Sequence, residues 1–183
     1  GPARSGRSTT LRTIAHSLLD PAVGGGLVPV VLVTPRRSPL RLLSGHPGVL
    51  GLLTSDAGPA DLIAAIGDEH RYAVVVDDAE LLDRTGLDDA LRAVLRTARD
   101  GEHTVVIGGT TADLGRDHPG FLTDTRRSRS GVLLSVESPG DGDLLGLRLP
   151  RNGPLGGPTG RGLFVAAGAA VQVQVALPPP ANG

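Results

Sequence analysis

The first eight residues, Gly1-Pro2-Ala3-Arg4-Ser5-Gly6-Arg7-Ser8, restrict the fold of this chain more than any other stretch. A glycine, four residues, a second glycine, a basic residue and a hydroxyl describe a loop whose backbone N–H groups converge before a helix begins. The helix start aims its partial positive charge into that loop. Leu11, Ile14, Ala15, Leu18 and Leu19 follow at helical spacing, so a helix is expected over 8–19. A loop of this kind joins a buried strand to its helix. No residue precedes Gly1, so the chain is expected to be a fragment whose first strand is missing.

Downstream, short apolar runs alternate with helix-period segments. Residues 27–33 (LVPVVLV) read as a buried strand, with Pro29 at its edge or start. Residues 40–43 and 49–53 are shorter strand candidates. Pro59 stands at a first-turn position ahead of a short helix over 61–68. Residues 72–76 (YAVVV) form a continuous apolar run ending in Asp77 and Asp78. A helix follows over 87–99, with Gly101 as its cap, and a strand over 104–107 closes on Gly108-Gly109-Thr110-Thr111. Strand and helix alternate to about residue 125, which predicts an α/β domain with a mostly parallel sheet covered by helices on both faces. Beyond it, residues 131–135, 144–149, 162–166 and 171–177 read as short strands joined by Gly and Pro turns. One domain over 1–177 and a disordered Pro-rich tail over 178–183 are expected.

Composition removes several function classes. The chain has 183 residues, no cysteine and a net charge of −1, so disulfides and thiolate metal sites are ruled out. The balanced charge gives no global pull toward nucleic acid. All 18 basic residues are arginine, the usage of a GC-rich genome. Tyr72, Phe121 and Phe164 are the only aromatics, which leaves an aliphatic core and almost no platform for stacking bases. No apolar run approaches the ~20 residues of a membrane span. The histidines at 16, 46, 70, 103 and 118 lack metal-ligand spacing.

Three elements carry chemistry. In the opening loop, Arg7 would meet the β- and γ-phosphates of a nucleotide and Ser8 would offer its hydroxyl to Mg²⁺. An ordinary glycine-rich turn before a helix is the plain alternative. At the end of the 72–76 run, Asp77 would hold the Mg²⁺ shell and Asp78 would polarise an attacking water, or both merely cap the next helix. Thr110 either senses a γ-phosphate or caps the helix after it. The densest basic run, Arg126-Arg127-Ser128-Arg129-Ser130, is either a solvated face or a source of inter-domain arginine contacts to a neighbouring nucleotide, and Arg36, Arg37 and Arg41 are read in the same way.

These residues resemble the FtsK/SpoIIIE-like ATPase domains, especially the last, divergent domain of EccC-type ATPases of type VII secretion. The matching stretches are GPARSGRSTTL, YAVVVDDAELLD, RRSRSGVLLSVESPGDGDLLGLRLP and GPTGRGLFVAAGAAVQVQVAL, which together run from residue 1 to about 177. The resemblance implies a RecA-like P-loop NTPase fold and ATP with Mg²⁺ as ligands. It places the chain as one module among adjacent ATPase domains of the same or a neighbouring chain. Relatives translocate double-stranded DNA or drive protein substrates through a secretion complex, with cytoplasmic motor domains on a membrane-anchored parent.

Two residues depart from the motor pattern: Arg7 stands where the loop lysine is usual, and Asp78 where glutamate is usual. A planar guanidinium is wider than an ammonium point charge, and the aspartate falls one methylene short. The expectation is an ATP-binding module that uses Gly1, Arg4, Ser5, Gly6, Arg7, Ser8, Thr9 and Asp77, with weak or no hydrolysis. An active ATP-hydrolysing motor and a nucleotide-free docking platform for a secreted protein's signal segment are the alternatives. DNA would be contacted through the whole assembly and not directly by this domain.

Overall fold

Four parallel strands and their alternating side chains define the core of the computed structural model, which describes residues 1–23, 26–98, 100–116, 119–151 and 156–177. They are β1 (Val30–Val33), β2 (Val49–Leu53), β3 (Ala73–Val76) and β4 (Thr104–Ile107), in the spatial order β2-β1-β3-β4. All three pairings are parallel, with Val30 level with Ala73 and Ala73 level with Thr104. Every residue of β1 and β3 is buried, as continuous valine-rich runs require when helices cover both faces.

The period of two along each strand divides the core between those faces. Val30 and Leu32 of β1, with Ala73 and Val75 of β3, pack on Leu11, Ala15 and Leu19 of α1 (Arg7–Leu19). Val31, Val33, Val74 and Val76 turn the other way. They meet Leu62 of α2 (Pro59–Ile66), Leu87, Leu91 and Val94 of α3 (Gly86–Thr97), and Phe121. Phe121 opens the short helix α5 (Phe121–Arg126), which follows the one-turn α4 (Thr111–Leu114). The buried Asp88 of α3 anchors α5 by accepting the Phe121 N–H at 2.7 Å.

The second sheet is antiparallel: β5 (Gly131–Leu134), β6 (Arg161–Ala166) and β7 (Ala169–Gln174), in that order. The α/β class and the parallel sheet with helices on both faces are therefore as expected, as is the change of pattern in the last third.

Two expected strands do not form: 40–43 lies in a 3-10 turn, and 144–149 begins in the last residues of another, over 139–145, and continues without regular structure. The turn over 39–43 forms because Pro39 cannot donate to a ladder, while the Ser38 hydroxyl accepts the Leu40 N–H at 3.2 Å. The turn over 139–145 is built alike: Pro139 again comes first, and the Asp141 carboxylate accepts the Ser138 N–H at 3.1 Å. Gly146, at φ 68, ends that turn, so no strand runs over 144–149. Pro59 does stand at the start of α2. The tail over 178–183, Gly24, Gly25 and His118 lie outside the described residues. Among the described residues no helix is long and apolar enough to cross a membrane.

Candidate functional site

The opening loop lies at the carboxyl end of the parallel sheet, beside the acids that follow β3. Its shape comes from two left-handed residues, Arg4 at φ 63 and Gly6 at φ 96, on either side of the buried Ser5. Such a sequence of conformations turns successive N–H groups toward one concavity. The Ser5 hydroxyl donates to the Pro2 carbonyl at 2.9 Å and fixes the turn from within. Gly6 then starts α1, its carbonyl accepting both the Thr10 N–H at 2.8 Å and the Thr10 hydroxyl at 2.9 Å. A Cβ on Gly6 would lie 3.2 Å from the Gly160 nitrogen, in a backbone conformation that already penalises any side chain. Gly160 N–H in turn donates to the Ser5 carbonyl at 2.9 Å, so the turn before β6 clamps the loop.

Ser8 and Thr9 stand half-buried on the first turn of α1, where the backbone N–H groups have no intrahelical acceptor. That turn and the two left-handed residues form an anion-binding geometry that needs no metal to exist.

Arg7 is already occupied. Its guanidinium donates to the Gly1 carbonyl at 3.3 Å and to Asp78 Oδ1 at 3.3 Å, with the two side chains only 17% and 18% exposed. Arg7 therefore spans the loop and grips an acid 71 positions away. Asp78 is left-handed, at φ 49, which turns the chain out of β3 into the 3-10 turn 79–82.

Asp77 is 2% exposed, and both its oxygens have partners: Oδ2 accepts the Ser38 hydroxyl at 2.6 Å and Oδ1 the Asp78 N–H at 3.1 Å. A carboxylate has about four lone-pair sites, so two remain for the water shell of a cation. Ser8 and Asp77 are thus a donor set that fits Mg²⁺, and the first-turn amides fit the phosphates that would accompany it.

Glu80 is the acid that sequence reading passed over. Burial raises its carboxyl above the usual range while the nearby Arg7 pulls it down, and its Oε2 has no hydrogen-bond partner among the described residues. The α-amino group of Gly1 donates to the Gly109 carbonyl at 3.2 Å. Desolvation, then Arg7, lowers that amino group from 8.0 to about 6.

The remaining predicted residues have local partners. The Thr110 hydroxyl donates to Asp113 Oδ2 at 2.6 Å and accepts the Asp113 N–H at 3.0 Å, the helix-capping geometry. Arg126 donates to the Gly115 and Arg116 carbonyls, both at 3.1 Å. Arg127 pairs with Asp124 at 3.3 Å, and the exposed Arg129 packs its side chain along Gly146. Arg41 is tied to Thr34, through its hydroxyl and its carbonyl, both at 2.9 Å.

Sequence reading missed Ser38, Glu80 and Gly160. For Ser38 a signal existed: serine followed by proline marks a helix start and placed that hydroxyl at the end of β1.

No family model and no curated protein matches the sequence. Solved structures do match its fold. The cytoplasmic domain of the type VII secretion ATPase EccC of Thermomonospora curvata superposes with a TM-score of 0.71 at 21% identity, over 98% of this chain and 23% of that one. ATPases 2 and 3 of T. curvata EccC, in complex with a signal sequence peptide, give 0.73 at 19%, over 98% of this chain and 36% of that one. ATPases 2 and 3 of EssC from Geobacillus thermodenitrificans give 0.68 at 16%, over 97% and 36%. The chain spans between 23% and 36% of the length of these three proteins and has the fold of the EccC and EssC ATPase domains.

Proposed function

We propose that this domain is an ATP-binding module of a multidomain FtsK/SpoIIIE-type ATPase of the type VII secretion kind, which holds Mg·ATP and turns it over slowly or not at all. Phosphates are held by the loop from Gly1 to Gly6, including Arg4 and Ser5, with Arg7 and the first-turn amides at Ser8 and Thr9. Ser8 and Asp77 hold the Mg²⁺, which would neutralise phosphate charge. The Arg7–Asp78 pair is the observation that carries the reading. The two residues that depart from the motor pattern are each other's partners, so the cation offered to a γ-phosphate is neutralised by the acid that would orient the attacking water. A nucleotide displaces Asp78 from Arg7 when it binds, because a polyphosphate brings more charge to the guanidinium than one carboxylate. Asp78, one methylene shorter than the glutamate of the motor pattern, is then poorly placed to polarise water.

Bound nucleotide stabilises this domain and its contact with the adjacent ATPase domain, so occupancy is the signal and turnover is not required. Calorimetry with Mg·ATP tests this, together with a malachite-green measurement of phosphate release. Binding heat with phosphate release at background is the expected outcome. Brisk release that Arg7→Ala abolishes would mean an active motor.

One observation favours a second reading. An ion pair already fills the loop's cation site, and a fold relative is known in complex with a signal sequence peptide. A docking platform for a secreted protein's signal segment would use the same end of the sheet without nucleotide. No heat and no thermal shift at millimolar Mg·ATP would select that reading.

A further inference from the structure

Glu80 holds neither phosphate nor Mg²⁺ in this site, yet the fold wedges it there. The turn that carries it, over 79–82, is latched to the end of β4, where the Ala79 N–H donates to the Gly108 carbonyl at 2.9 Å. Its carboxylate presses on the next residue of that strand end: a Cβ on Gly109 would lie 2.5 Å from Glu80 Oε2 and 2.9 Å from Leu114. Oε2 is buried and accepts no hydrogen bond among the described residues. Burial is the largest influence on this carboxyl and raises it. Its own backbone N–H and Arg7 act the other way, while Asp78 and Asp113 add to the rise.

The three acids differ in what compensates them. Asp113 has Arg116 at 2.7 Å and the Thr110 hydroxyl at 2.6 Å. Asp78 has the Arg7 guanidinium at 3.3 Å. Glu80 has only the field of that same guanidinium, which donates to Asp78 and to the Gly1 carbonyl and leaves Glu80 Oε2 without a donor. The site therefore has two halves of opposite character. The loop and the first turn of α1 offer backbone donors to anions. The strand-end half sets the carboxylates of Asp78 and Glu80 against the single charge of Arg7.

We propose, resting on the nucleotide-binding reading above, that the site prefers a nucleoside diphosphate to a triphosphate and that Glu80 sets this preference. A diphosphate is served by the loop and first-turn amides and by Ser8. A third phosphate falls to Arg7, and so into the field of both strand-end acids. Arg7 gains little by exchanging partners, because leaving Asp78 for a phosphate releases a second carboxylate two residues from Glu80. Mg²⁺ accompanies either nucleotide, so it does not erase the difference. The latch on β4 and the contact with Gly109 keep Glu80 from swinging away.

Titration calorimetry with Mg·ADP and Mg·ATP at pH 8 tests this. That pH lies above the value of about 6 to which the Gly1 amino group is lowered, so the terminus adds little charge. Mg·ADP is expected to bind about tenfold or more tighter than Mg·ATP. Glu80→Gln keeps the shape and removes the charge, so it should tighten Mg·ATP by about fivefold or more and move Mg·ADP by less than about twofold. Equal or tighter binding of Mg·ATP by the unaltered chain would overturn the proposal, and a preference undiminished in Glu80→Gln would overturn the role of Glu80. If that variant does not fold, the unaltered chain decides. Beryllium fluoride added to the Mg·ADP complex supplies a mimic of the third phosphate, and the unfolding midpoint is expected to stay where Mg·ADP alone puts it. A further rise would overturn the proposal. Binding of neither nucleotide would overturn the nucleotide-binding reading itself, and the preference with it.

Discussion

The two sheets approach the opening loop in opposite ways. The parallel sheet buries β1 and β3 completely and delivers Asp77 and Asp78 from the end of a valine run. The antiparallel sheet ends in β7, where five of six residues are exposed, and reaches the loop through one backbone bond, from Gly160 to Ser5. Burial thus fixes where the acids stand, while a light, solvated element fixes the curvature of the loop that faces them. Position and shape of the site rest on different physics and should fail separately.

The largest effect expected follows from burial. Val75→Asp puts an unpaired carboxylate into a fully buried strand and abolishes cooperative unfolding, whereas Val171→Asp, at a residue 61% exposed, changes stability by no more than about 0.5 kcal/mol. Thermal melts of both variants test the contrast, and a β7 variant as damaging as the β3 one would erase it. Next comes Gly160→Val. Its φ of 81 and the 3.0 Å approach of Gln174 to a Cβ predict a loss of about 1–3 kcal/mol. The same variant should weaken Mg·ATP binding without touching an acid, as titration calorimetry would show.

Ser38→Ala leaves one oxygen of the buried Asp77 without its 2.6 Å donor. The expected cost is about 1–3 kcal/mol by chemical denaturation, with β3 otherwise intact.

The smallest effect is in pH. For a chain beginning at Gly1, the α-amino group titrates from 8.0 down to about 6 on folding. The unfolded chain therefore binds more protons between those values, and stability rises as pH goes from about 6 to 8. Solvent screening at a partly buried terminus limits the gain to about 1 kcal/mol or less. Acetylating the terminus should flatten the slope, and a slope that survives acetylation would have to come from another group.

Much of this was legible in the sequence because it is periodic or punctuated. The runs at 30–33 and 73–76 are apolar throughout, as buried parallel strands must be, the run at 104–107 is apolar after the exposed Thr104, and Pro59 marks its helix. The leucine-rich stretches 40–43 and 144–149 read as strands from composition alone, while the serine-proline pairs at 38–39 and 138–139 carry the instruction for the 3-10 turns that form instead. At the site, the loop, its helix and the acids after β3 could be placed from their spacing. The pairing of Arg7 with Asp78, of Asp77 with Ser38 and of Ser5 with Gly160 could not, since each joins residues that only the closed sheet brings together. Arg7 and Asp78 read separately are two conservative replacements; in the fold they are one contact.

Phosphate release by the chain and by the double variant Arg7→Lys, Asp78→Glu, each with Mg·ATP binding measured alongside, tests that contact most directly. The account predicts that the chain binds Mg·ATP and releases phosphate at background, and that the double variant gains turnover. Brisk turnover by the unaltered chain, lost in Arg7→Ala, would contradict it.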